Sequence, residues 1–221
     1  IEAAKPTILK VLEDGGSAIL MSHLGRPKNN EPEFSLKHIV AKVSEIIGVQ
    51  VKFVENCVGA AAEKAASELE PGEILLLENL RYHDEETAGD KGFAEQLAQL
   101  GDIYVNDAFG AAHRKHASIV GPPRHLPSAA GRLLVEEVEV LSQLRDKPKR
   151  PFVAVLGSDG RRDGAQGGLV SRIRMGHGHR GRHPRVRRGV QPPRHRGVAP
   201  GVRPNVSARW VWHLRTQGGK G

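Results

Sequence analysis

SAILMSHLGRP, residues 17–27, passes within a few positions from an unbroken apolar run to His23, Gly25, Arg26 and Pro27. A run this short and this continuous suits a strand covered on both faces rather than one half exposed to water. Its polar close puts a histidine and an arginine where the strand ends, with a glycine between them that lets backbone come near a ligand.

The same pattern recurs along the chain. VQVKFV (49–54), EILLLEN (73–79), DIYVNDA (102–108) and PFVAVL (151–156) are equally short and apolar. Between them lie LKHIVAKVSEIIG, VGAAAEKAASELEPG, KGFAEQLAQLG and SAAGRLLVEEVEVLSQL, with apolar spacing near the helical period and mostly a glycine stop. A further helical stripe, Ile8, Val11 and Leu12, opens the chain and stops at Gly15-Gly16. Strand and helix in alternation predict an α/β fold, a parallel sheet with flanking helices, whose ligands bind beyond the carboxyl ends of the strands.

The unusual residues gather at those ends. Strand 17–22 runs into His23, Gly25 and Arg26; strand 73–79 into Arg81, Tyr82 and His83; strand 102–108 into Gly110, His113, Arg114 and His116. One such cation is more often a solvated or capping side chain. Three coincident cases deliver planar guanidinium forks to one rim, which suits a small, highly anionic ligand. The acidic run Asp84-Glu85-Glu86 reads as a dipole-favoured helix start rather than a metal cluster. Glu78-Asn79 and Asn106-Asp107 read as ties between loops.

Charge is distributed unevenly. Residues 1–156 carry 18 Lys and Arg against 23 Asp and Glu, and residues 157–221 carry 15 against 2, so the net +8 belongs to the tail. That tail holds 14 Arg, 14 Gly and 5 Pro, with His177, His179 and His183 in a tract whose arginine neighbours would repel a metal ion. The single cysteine, Cys57, excludes an internal disulfide framework and suits a small buried apolar group in a reducing compartment. No apolar run approaches the roughly 20 residues of a membrane span, and no signal segment opens the chain, so a cytoplasmic protein without membrane contact is expected.

MSHLGRP, LLLENLRYHDEE, YVNDAFGAAHRKHAS and PFVAVLG, in this order and at strand ends, resemble the amino-terminal domain of the phosphoglycerate kinase family over about residues 1–157. The resemblance implies a Rossmann-like domain that holds a triose in a basic patch, and a carboxy-terminal domain for the nucleotide. The reaction implied is phosphoryl transfer between 1,3-bisphosphoglycerate and ADP, giving 3-phosphoglycerate and ATP, with Mg2+ accompanying the nucleotide. Carried over by motif, His23, Leu24, Gly25 and Arg26 form the substrate loop, and Arg81 and Arg114 add two further arginines. Such transfer rests on positioning and charge stabilisation, so no catalytic nucleophile and no metal ligands are expected on this half. The resemblance also implies a monomer.

Two departures accompany the matches. By the resemblance, Ile1 corresponds to a position just inside the family's first helix, so these residues are expected to lack the family's first strand, interior to the sheet, with its substrate-touching Asp, Asn and Arg, and two strands are expected to expose edges. After VAVLG, the positions of two nucleotide-facing lysines are Gly160 and Gly164. Two units are therefore expected: 1–156, a phosphoglycerate-binding α/β domain, and 157–221, an Arg/Gly/Pro-rich tail read as a frameshifted remnant of the nucleotide domain. Lacking helical or strand periodicity, the tail is expected to be disordered. The chain is expected to be inactive as a kinase. Two other readings stand beside this one: a nucleic-acid-binding module working through the Arg/Gly-rich tail, and a triose-phosphate-binding domain without catalysis.

Overall fold

The computed structural model of the chain describes residues 1–149 and 209–215. Residues 150–208 and 216–221 lie outside the described residues. With them go the expected strand at 151–156, Gly160, Gly164, the His177–His183 tract and all of the expected disordered tail except 209–215.

In chain order the elements are α1 (Lys5–Glu13), β1 (Ser17–His23), α2 (Val40–Ile47), β2 (Val51–Val54), α3 (Ala60–Ser67), β3 (Ile74–Leu77), α4 (Asp84–Ala88), α5 (Lys91–Gln99), β4 (Ile103–Asn106), α6 (Ala117–Val120), β5 (Ser128–Ala130), α7 (Arg132–Asp146) and β6 (Arg209–Arg215). The strands form one sheet in the order β2-β3-β1-β6-β4-β5. Every pairing is parallel.

The continuous apolar runs are explained by burial on both faces. Along β1 and β3, Ile19, Met21, Leu75 and Leu77 pack with Leu97, Phe93 and Tyr104 in one core cluster. The alternate residues Ala18, Leu20, Ile74 and Leu76 pack with Ile8, Val43 and Ile47 in another. Period-two alternation thus sends both sets inward, and each fully buried Leu or Ile contributes about 1.5–3 kcal/mol. Local signals set the helix limits. Pro6 sits in the first turn of α1, the Asp90 side chain caps α5 by accepting from Phe93 N at 2.8 Å, and Gly48 ends α2 at a φ of 88°.

Two sequence expectations need correction. The helix expected from Ser128 begins at Arg132, because Ser128–Ala130 join the sheet edge against Tyr104–Asn106. A distant residue starts the helix: Asp107 Oδ1 accepts from Leu134 N at 3.0 Å, while its Oδ2 accepts from Thr7 Oγ1 of α1 at 3.2 Å. Gly131 makes room for that carboxylate, since a Cβ there would lie 2.2 Å from Asp107 Cγ. The second correction concerns the tail. Residues 209–215 form a strand, and it lies between β1 and β4 and pairs with both. The signal was present in RWVWHLR, where β-favouring Trp210, Val211 and Trp212 stand together in an otherwise Arg/Gly-rich region.

Among the described residues, α7 has no buried residue and exposes Val135, Val138, Val140, Leu141 and Leu144. No described helix is long and apolar enough to cross a membrane.

Candidate anion site

The segments following β1, β3 and β4 close around a cavity of about 300 Å³ lined by Arg26, Pro27, Arg81, His83, Arg114 and His116, with Asp84 and Thr87 of α4. The cations arrive from three separate stretches of chain, so the sheet rather than local sequence fixes the constellation.

Polar ties hold the first loop in place. Asn79, fully buried, donates from Nδ2 to Leu24 O at 2.8 Å and to Phe34 O at 2.9 Å, and its Oδ1 accepts from Leu24 N and Arg81 N. Glu78 accepts from Leu36 N at 2.8 Å and Ser35 Oγ at 2.6 Å. Both residues therefore serve the loops, as their place at a strand end suggested. Arg81 Nη1 donates to Gly25 O at 2.6 Å. Gly25 has a φ of +62°, and a Cβ there would lie 2.3 Å from Phe34 Cδ1, so glycine is required twice over.

Of the residues assigned to the substrate loop, Arg26 lines the cavity together with Arg81 and Arg114, whereas His23, Leu24 and Gly25 do not. His23 ends β1, and Leu24 and Gly25 serve through their backbones. Tyr82 of the rim turns away, its hydroxyl donating to Glu31 O at 2.7 Å. His116, on the rim but absent from the assignment by motif, lines the cavity.

Beneath His116 lies the residue that sequence reasoning missed. Glu86 belongs to the acidic first turn of α4, as expected for a dipole-favoured start, yet it is completely buried. Its Oε1 accepts from Ser118 Oγ at 2.6 Å and its Oε2 from Ser118 N at 2.9 Å, with His116 Nδ1 3.4 Å away. Only tertiary contact with α6 distinguishes it from its solvated neighbour Glu85, and nothing in HDEE marks that contact.

The cations work against one another in the free protein. Burial lowers the pKa of Arg81, and the nearby charges of Arg114 and then Arg26 lower it further, with Glu86 opposing them. Its Nε is buried without a hydrogen-bond partner, a donor that an anion can satisfy. His116 is likewise held below its ordinary value of 6.5, chiefly by burial, with Glu86 raising it and Arg81 and Arg114 lowering it. Because the folded imidazole takes its proton at lower pH than the unfolded one, stability is lost as pH falls below about 6.5 towards the depressed folded value. A bound anion favours the imidazolium, so anion binding in that range is expected to take up protons. Calorimetry in two buffers of different ionisation enthalpy measures the uptake, and a His116→Gln variant should abolish it. Cys57 stands outside this chemistry: burial pushes its thiol up to about 12, as fits an inert packing group.

The fold agrees with what known proteins show. The family described as phosphoglycerate kinase matches residues 1–163, past the expected boundary at 156. The phosphoglycerate kinase of Moorella thermoacetica is 54% identical over 158 residues, covering 71% of this chain and 40% of that protein. The cytosolic phosphoglycerate kinase of Triticum aestivum is 49% identical over 158 residues, covering 71% and 39%. Among solved structures, phosphoglycerate kinase from Pyrococcus horikoshii OT3 superposes with a TM-score of 0.63 at 30% identity, covering 68% of this chain and 38% of that one. That from Coxiella burnetii gives a TM-score of 0.58 at 35% identity, covering 67% and 37%. The chain spans about two fifths of the length of the curated relatives it matches. No comparison supports the nucleic-acid-binding alternative. With its motifs and its sheet in agreement with a family match that covers residues 1–163, the chain belongs to the phosphoglycerate kinase family.

Proposed function

We propose that the cavity between Arg26, Arg81 and Arg114 binds the triose of the phosphoglycerate kinase reaction, 3-phosphoglycerate or 1,3-bisphosphoglycerate. The observation that carries the reading is the convergence of three arginines and His116 on about 300 Å³ with no carboxylate but Asp84 in the lining. A phosphoglycerate offers a carboxylate and a phosphate, each able to take a guanidinium fork through two hydrogen bonds. Binding would relieve the mutual repulsion that lowers the Arg81 pKa and satisfy its orphaned Nε.

Mg2+ does not fit this cavity. Its lining is cationic, and the described residues hold no group of three or more His, Cys, Asp or Glu able to bind a metal ion. By the resemblance, the Mg-nucleotide belongs to the other half of the family's fold. Gly160 and Gly164 stand where the resemblance places the lysines for nucleotide phosphates. We therefore infer that the chain holds the triose without transferring phosphoryl groups, since each missing donor to a developing charge costs about 2.7–4 kcal/mol.

Calorimetry with 3-phosphoglycerate on the full chain tests the reading. The expected result is a saturable heat that weakens at least about tenfold in Arg114→Ala. Equal heats from both chains would overturn the assignment, and ordinary turnover in a coupled assay would overturn the inferred inactivity.

A further inference from the structure

β6 joins the sheet from the far end of the chain and takes an interior position. Its residues 209–215 pair with Ser17–His23 along the whole of β1, and residues 210–213 pair with Ile103–Asn106 of β4. β1 and β4 share no ladder with each other. The sheet is therefore two pieces, β2-β3-β1 and β4-β5, joined through this strand.

The anion site straddles that seam. Arg26 and Arg81 follow β1 and β3 on one side, and Arg114 and His116 follow β4 on the other. Register places Trp210 and Trp212 level with Ala18 and Leu20, members of one core cluster, and Val211 level with Ile19 and Tyr104, members of the other. An apolar residue at each of these three positions is what an interior strand of a parallel sheet requires.

We propose that the slot between β1 and β4 is a strand-acceptor site, occupied in cis by residues 209–215, and that this docking sets the spacing of the cations across the seam. Recognition is main-chain pairing on two sides plus alternating apolar positions, the mode by which an extended peptide adds to a sheet. The consequence for the anion site rests on the triose reading above; the docking itself does not.

Hydrogen exchange on the full, unmodified chain tests the docking directly. Amides of Trp210–Leu214 should be protected to the level of Ile19–Met21, and exchange at coil rates would overturn the proposal. Trp212→Pro removes a ladder donor from an interior strand. It should speed exchange in β1 and β4 at least about tenfold while sparing the β2–β3 pairing, and weaken 3-phosphoglycerate binding by a similar factor. Unchanged exchange in β1 and β4 would also overturn the proposal. If the variant fails to fold, the unmodified chain decides alone. A dimer in sedimentation that dissociates on adding excess RWVWHLR peptide would show the strand donated by a second copy and would refute docking in cis. Protected β6 amides without any triose binding would support the docking and count against the site reading only.

Discussion

Glu86→Ala is expected to lower the unfolding free energy by about 3–5 kcal/mol, the sum of two buried donors left without an acceptor and the cavity left by the side chain. The size follows from what is left behind. Ser118 keeps a backbone N–H and a hydroxyl that are both fully buried and both now use Glu86. Each unmatched donor costs about 1–3 kcal/mol, and the vacated volume adds a cavity penalty. His116 also loses the carboxylate that lies 3.4 Å from its Nδ1, so the rim loosens where β4 contributes to the site. Against a total of about 5–15 kcal/mol for a domain, the change is severe. Glu86→Gln, which keeps the shape and one acceptor, should recover part of the loss. Urea denaturation followed by circular dichroism measures both variants, and a loss below about 1 kcal/mol in Glu86→Ala would rule out this account.

Glu86 also shows where sequence reading stopped. The four strands of the amino-terminal region were legible because two-sided burial leaves runs such as ILLL without polar interruption, and helical spacing with Asp90 and Gly48 marked helix limits. Arg26, Arg81 and Arg114 were legible because each lies in the segment that follows a strand. Glu86, the start of α7 and the position of β6 were not, and for one shared reason: tertiary partners at large sequence separation set all three. Asp107 reaches Leu134, Ser118 reaches Glu86, and residues 209–215 reach β1. Local propensity carries no record of those partners. Within the loop assigned by motif, Leu24 and Gly25 are tied through their backbone carbonyls to Asn79 and Arg81, while Arg26 lines the cavity.

Arg81→Met should separate binding from stability, reducing affinity for 3-phosphoglycerate about 100-fold while moving the melting temperature of the free chain by no more than about 4 °C. The loss of affinity follows from burial. The charge of Arg81 is opposed by its surroundings, through desolvation and through Arg114 and Arg26. An anion in the cavity reverses that balance, so the guanidinium interacts far more favourably in the complex than in the free protein. For the free chain the terms oppose each other. The variant forfeits the 2.6 Å bond from Nη1 to Gly25 O, worth about 1 kcal/mol, but removes a buried donor without a partner and the repulsion from two neighbouring arginines. Methionine fills much of the vacated volume with a flexible apolar chain. The free protein thus carries a local destabilisation that only the ligand offsets, the usual relation between stability and a preorganised site. Thermal denaturation with and without 3-phosphoglycerate measures both quantities: the ligand should raise the melting temperature of the unmodified chain and leave that of Arg81→Met almost unmoved. An equal ligand-induced rise in both chains would place the triose away from Arg81.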